Sequence, residues 1–162
     1  MENTNMKILI FNLNKEYYAT DIQNVERILG YETPTELPNA PYFVEGVINQ
    51  EDSILPIIDI SKEFKLSTDM HEKNCAKKII VVKREKKKFG IVVNNVSEVK
   101  DVDEKLIEDA PEITKNSKRE YIKGLIRFDK KIVILLDLEK LLSSGDEDKI
   151  FKGGRDESIG RG

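Results

Sequence analysis

The chain of 162 residues carries one histidine, His71, and one cysteine, Cys75. A nucleophile–base pair drawn from the usual partners would have to use these two, and no second histidine is available to support a dyad or triad. They stand in the run Asp69-x-His71-Glu72-x-x-Cys75, which gathers side chains able to ligate a transition metal. That spacing matches no structural zinc pattern, so no metal is expected. A single cysteine excludes an intramolecular disulfide, and Cys75 reads as an unreactive thiol in a polar connector. Neither GxxxxGK[ST] nor GxGxxG follows a strand-like run, so no cofactor is expected.

Two further groups deserve a chemical reading. Asp59 and Asp137 end two similar apolar runs, and their simplest work is to cap the short helices that follow, at about 1 kcal/mol each. Catalysis is the weaker reading of that pair. Lys83-Arg84-Glu85-Lys86-Lys87-Lys88 is the one basic cluster. A nucleic-acid surface would interleave aromatic side chains on a strand face, and here only Phe89 is close. The run reads as a solvated hairpin tip. No enzyme is expected.

The elements that must position these residues occur twice. Val44-Glu45-Gly46-Val47-Ile48 and Ile54-Leu55-Pro56-Ile57-Ile58-Asp59-Ile60 return as Ile122-Lys123-Gly124-Leu125-Ile126 and Ile132-Val133-Ile134-Leu135-Leu136-Asp137-Leu138, 78 positions later. Val25 to Ile28 matches Val96 to Val99 at a spacing of 71. The difference is absorbed by a polar insertion around Asp103 to Ser117. Such self-similarity reports architecture before any motif does.

Each copy carries five short β-branched or aromatic runs. In the first they are Met6–Leu13, Glu16–Thr20, Arg27–Tyr31, Phe43–Asn49 and Ser53–Ile58. In the second they are Lys78–Lys83, Phe89–Asn94, Val96–Val102, Arg119–Phe128 and Lys131–Leu136. Asp21 is placed to cap a helical turn over Ile22–Val25, and another turn is expected at Glu104–Ile107. Short helices are expected after Asp59, to Phe64, and after Asp137, to Leu142. Pro56 inside its run argues for an edge strand or a bulge. Five strands per copy make an all-β fold of two small barrels the natural solution, because closure hides sheet edges.

Composition describes a soluble globular protein with a heavily charged exterior. Hydrophobic residues make up 39% and charged residues 35%, with a net charge of −3. That balance draws the chain neither to nucleic acid nor to an anionic membrane. Each copy of about 70 residues is near the limit at which a core is stable alone, so the copies should share one. The N-terminus lacks a signal-peptide pattern and no apolar run approaches the ~20 residues of a membrane helix, so a cytoplasmic location is expected. Residues 144–162, rich in glycine and charge, are expected to be a disordered tail.

Phe11-x-Leu13…Tyr18, Val25-x-x-Ile28, Leu37-Pro38-x-x-Pro41-x-x-x-x-Gly46-Val47-Ile48-Asn49, Ile54-Leu55-Pro56-Ile57-Ile58-Asp59, Gly90-Ile91-Val92-Val93-x-x-Val96-x-x-Val99 and Tyr121-Ile122-x-Gly124 together resemble the CheW family of chemotaxis coupling proteins. The likeness runs from about Lys7 to Leu142, and Leu37–Asp59 is its most specific part. It implies two pseudo-symmetric, interlocked five-stranded SH3-like barrels in one domain over 1–143. The subdomains would lie at about 6–64 and 76–142, with a strand exchange between them allowed. It also implies an adaptor between methyl-accepting chemotaxis receptors and the regulatory domain of the histidine kinase CheA, monomeric alone and assembling in arrays. Carried over by position, the receptor groove comprises Ile22, Val25, Arg27, Ile28, Glu51, Val96 and Val99. The apolar members also read as ordinary core.

The sequence departs from the family at two places. Glu usually stands where Arg27 does, and Arg-Gly where Glu51-Asp52 does. The reversal predicts that Arg27 and Glu51 meet as an ion pair, and the missing glycine predicts a changed turn. Two alternatives stand beside the adaptor: a small-barrel nucleic-acid binder resting on residues 83–88, and a coupling protein of a divergent chemosensory pathway.

Overall fold

Ten strands form among the residues that the computed structural model describes, 5–63, 77–84, 87–109 and 122–138. They are β1 (Asn5–Leu13), β2 (Glu16–Asp21), β3 (Val25–Gly30), β4 (Val44–Gln50), β5 (Ser53–Ile58), β6 (Lys78–Arg84), β7 (Lys87–Val93), β8 (Asn95–Asp103), β9 (Ile122–Phe128) and β10 (Lys131–Leu136). Among the described residues helix comprises α1 (Ile60–Glu63), 3₁₀ turns at Ile22–Asn24 and Glu104–Leu106, and the start of a further helix at Leu138. The capping expected of Asp21 and Asp59 is present. Asp21 Oδ1 accepts from the Gln23 N–H at 2.9 Å, and Asp59 Oδ1 accepts from the Ser61 N–H at 3.0 Å. His71, Cys75, the end of the helix after Asp137 and the tail at 144–162 lie outside the described residues.

The strands make two five-stranded sheets, ordered β8-β1-β2-β10-β9 and β3-β6-β7-β5-β4. Advancing every first-copy strand by five positions, and moving every second-copy strand back by five, converts one order into the other. The sheets are therefore equivalent, but neither belongs to one copy of the sequence. Hairpin β1–β2 sits among β8, β9 and β10, and hairpin β6–β7 sits among β3, β4 and β5. The equivalence extends to local irregularities. Register slips leave one extra residue at Glu26 in β3 and Ser97 in β8, and at Glu45 in β4 and Lys123 in β9. Such bulges bend an edge strand and re-aim its side chains.

The repeated glycines have a steric cause. The segment after β3 crosses β4, and Thr35 exchanges backbone hydrogen bonds of 2.8 and 2.9 Å with Val47. Glu108 does the same with Leu125, both at 2.8 Å. A Cβ on Gly46 would lie 2.1 Å from the Thr35 carbonyl oxygen, at a φ of +146°. One on Gly124 would lie 2.4 Å from Ile107 Cγ2 and 2.9 Å from the Glu108 carbonyl oxygen. Only glycine lets these crossings close.

Alternation along β1 explains its unbroken apolar run. Ile8 and Ile10 enter a cluster with Ala19, Val102, Ile126, Val133 and Leu135. Leu9, Phe11 and Leu13 enter a larger one with Ile57, Ile79–Val82, Phe89 and Ile91. A strand covered on both faces needs apolar residues at every position. The larger cluster draws on both sequence copies, so the core is shared.

Pro56 corrects an expectation. β5 is not an edge strand, because it pairs with β4 on one side and β7 on the other. The parallel ladder to β7 begins at Ile57, one residue beyond the proline, so the missing N–H breaks no bond there. The equivalent residue in the other sheet is Ile134, and there the ladder runs through it to Tyr18.

Replacing Gly46 by alanine should cost about 2–3 kcal/mol, because a carbonyl and a strained φ oppose it together. Gly124→Ala should cost less, since its nearest obstacle is a side-chain methyl. Urea unfolding of the two variants checks the order, and equal, small losses would contradict the crossing argument.

Candidate functional site

The residues expected at a docking surface fall on the 3₁₀ turn Ile22–Asn24, on β3, on β8 and on the turn between β4 and β5. β3 and β8 are edge strands of different sheets at equivalent positions. Val25 and Val96 correspond, as do Ile28 and Val99. Ile22, Val25 and Val96 are half-buried and pack against the larger core cluster. Ile28 and Val99 instead stand out at 42% and 50% exposure. Both are therefore available to a partner, as are Ile54 and Ile132, a second equivalent pair, at 68% and 56%.

Arg27 and Glu51 meet. Arg27 Nη1 donates to Glu51 Oε2 at 2.7 Å, joining edge strand β3 to the β4–β5 turn. The turn has two residues between the paired Gln50 and Ser53, with φ of +50° at Glu51 and +65° at Asp52. A two-residue hairpin with both central residues left-handed is the form that favours glycine or asparagine. Here Glu51 and Asp52 hold it, so the missing glycine leaves the backbone in a conformation that L-residues adopt at a cost.

The basic run at 83–88 proves partly engaged. Lys88 Nζ lies 3.0 Å from Glu26 Oε1 and donates to Oε2 at 3.0 Å. Glu26 is the extra residue of the β3 bulge, and its Oε2 lies 3.7 Å from Arg27 Nε. Four alternating charges, Lys88, Glu26, Arg27 and Glu51, therefore cross from β7 over β3 to the turn. Reasoning from sequence missed Glu26 and Lys88, because bulge position and cross-strand neighbours are set by register rather than by residue type.

A second feature is an open cleft of about 400 Å³ lined by Tyr31, Pro34, Leu37, Tyr42, Glu45 and Lys62, among others. Tyr31 Oη donates to Glu45 Oε1 at 3.2 Å. Burial raises the Glu45 carboxyl above its ordinary 4.5, and the neighbouring Asp59 charge adds to the shift. Burial, then the Glu45 charge, pushes the Tyr31 phenol up to about 12. No helix among the described residues is long and apolar enough to cross a membrane.

Comparison with known proteins places this geometry. Residues 7–146 match the CheW-like domain. The chain is 37% identical over 143 residues to the chemotaxis protein CheW of Klebsiella aerogenes, covering 88% of this chain and 85% of that protein. It is 30% identical over 146 residues to the CheW of Treponema pallidum, covering 89% and 86%. The crystal structure of the scaffolding protein TtCheW from Thermoanaerobacter tengcongensis superposes with a TM-score of 0.76 at 32% identity, covering 87% of this chain and 94% of that one.

Two outcomes follow from the local geometry. Asp52→Gly should stabilise the chain by about 1 kcal/mol, read as a higher urea midpoint, by releasing the left-handed strain. No gain would mean that the turn is unstrained. Glu45 holds its proton more tightly folded than unfolded. Its favourable contribution is complete below the ordinary 4.5 and is lost as pH rises through the raised value. Glu45→Gln, which still accepts from Tyr31, should therefore raise the midpoint at neutral pH and leave it unchanged near pH ~4. A pH-independent difference would rule out this titration as the cause.

Proposed function

The chain belongs to the CheW-like domain family, and from that premise we propose that it is the adaptor coupling chemoreceptors to the histidine kinase CheA in chemotaxis signalling. The family is one of scaffolds rather than of enzymes, and in this reading the protein turns over no substrate. It works in the cytoplasm, as a monomer until it joins an array. The groove that takes a receptor signalling tip is formed by Ile28 and Val99, by the Arg27–Glu51 pair, and by the half-buried Ile22, Val25 and Val96 beneath them. The regulatory domain of CheA, which shares the fold, docks barrel against barrel.

The mechanism is simultaneous docking. A receptor that favours one of two states of the assembly passes its bias to the kinase as a difference in affinity between those states. The observation that carries the reading is the match over residues 7–146 together with exposed Ile28 and Val99 at equivalent edge positions. The nucleic-acid alternative loses support, since Lys88 of the basic run is occupied by Glu26.

Reconstitution tests the proposal. Mixed with a receptor cytoplasmic fragment and CheA, the protein should co-sediment with both and change kinase autophosphorylation. Neither effect would defeat it. Ile28→Asp and Val99→Asp should lower receptor capture about tenfold while costing about 1 kcal/mol of stability or less, because roughly half of each residue is already in water. Unchanged capture would remove these residues from the groove. Arg27→Glu alone should weaken capture, by setting a carboxylate beside Glu26 and Glu51. Adding Glu51→Arg should recover it for a receptor that reads only the pair's geometry, and not for one that reads its sign.

A further inference from the structure

Arg27 has a choice of two carboxylates. Glu51 accepts from its Nη1 at 2.7 Å, on an exposed turn. Glu26, its chain neighbour, is far less exposed, at 18%, and stops 3.7 Å short of its Nε. That Nε–H is buried and has no hydrogen-bond partner among the described residues. A buried donor left unsatisfied beside a half-buried carboxylate is costly, and a small rotation of Glu26 would cure it. What prevents the rotation is visible. Both Glu26 oxygens lie 3.0 Å from the Lys88 ammonium. The bulge at Glu26 places this carboxylate between the two cations, and Lys88 holds it on the far side.

We infer that Lys88 is a positioning residue that keeps Glu26 off Arg27 and thereby commits the guanidinium to Glu51. Among the described residues, the cation that remains beside Glu26 without the ammonium is Arg27. The carboxylate closes on the orphaned Nε–H, the guanidinium turns toward β3, and the link from β3 to the β4–β5 turn loosens. Glu51 is then released into solvent, with its charge unopposed at the face that the proposed function gives to the receptor. The consequence for receptor capture rests on that proposed function. The commitment of Arg27 does not, since it is a property of the chain alone.

Three variants of the full chain separate the possibilities: Lys88→Gln, Lys88→Arg, and Lys88→Gln combined with Glu26→Gln. The Nε–H resonance of Arg27 is followed in arginine-labelled protein and assigned with Arg27→Lys. In Lys88→Gln it should move toward a hydrogen-bonded position and exchange more slowly with solvent. Lys88→Arg should keep the native signal. The double variant should also return to it, because an uncharged residue 26 no longer competes for the guanidinium. A purely structural role for Lys88 predicts the opposite of this rescue, since the double variant has lost more contacts.

The Lys88 side chain is 45% exposed, so the folded state should survive its replacement. Should Lys88→Gln fail to fold, the double variant alone still decides: a native Arg27 signal there supports the inference and a displaced one overturns it. An unmoved signal in folded Lys88→Gln overturns it as well. Capture of a receptor cytoplasmic fragment is measured beside the spectra. It should fall several-fold in Lys88→Gln and recover in the double variant. A moved resonance with undiminished capture upholds the role of Lys88 and counts against the receptor assignment.

Discussion

Tyr17–Ala19 of β2 lie in parallel register against Val133–Leu135 of β10, and Ile57–Ile58 of β5 lie against Gly90–Ile91 of β7. With the antiparallel pairs β1·β8 and β3·β6, these ladders are the seams at which one sequence copy enters the sheet of the other. Everything else in the fold depends on them. A hairpin such as β1–β2 is marginal in water by itself, and three strands without their central hairpin would leave interior edges unpaired. Each copy must therefore lend its first hairpin and borrow the other's. The shared cluster, where Leu9, Phe11 and Leu13 meet Ile79–Val82, follows from that exchange. So does a cooperative unit in which neither half can open without breaking the core of both.

The exchange reproduces geometry faithfully and leaves chemistry free to diverge. Bulges, crossing segments and glycines recur in both sheets, but the four charges around Arg27 do not. The positions equivalent to Arg27 and Glu51 are Glu98 and Asp129, two carboxylates that cannot pair with each other. At the equivalent of Glu26 stands Ser97, whose hydroxyl donates to Asn12 Oδ1 at 3.0 Å. At the equivalent of Lys88 stands Tyr17, with the Lys131 ammonium 4.7 Å from its ring centroid. A twinned scaffold with unlike surfaces can offer two partners different faces while using one set of backbone rules. That is the economy an adaptor needs.

Those rules explain what could be read from residue types alone. Gly46 and Gly124 were legible because close backbone approach admits only glycine. Asp21 and Asp59 were legible because a cap acts within three residues. The ten strands were legible because β-branched runs between turns have few other solutions. The hairpin exchange was not, since a borrowed hairpin and an owned one present the same apolar pattern. Pro56 misled because its rule concerns a missing N–H, and β5 places that absence just ahead of the β7 ladder. Val25 and Ile28 looked alike in sequence. One packs on the core and the other stands in water, a distinction made by the bulge between them and invisible to spacing. Glu26 and Lys88 lie 62 positions apart and meet only because β3, β6 and β7 are neighbours.

Magnitudes decide what the four-charge chain can do. Exposed ion pairs contribute roughly 0–1 kcal/mol each, too little to hold edge strand β3 against a core of this size. Its weakness as a fastener suits it to another role. Coupling between two sites of a signalling assembly amounts to roughly 1–3 kcal/mol, the same scale as one such pair changing partners. Desolvation under a docked helix would raise the stakes further, because a charge left unpaired in an interface costs about 2–5 kcal/mol. The apolar seams, worth far more, set the shape and stay fixed. Arg27, poised between two carboxylates, is the part of the surface whose arrangement a partner can alter for an energy it can supply.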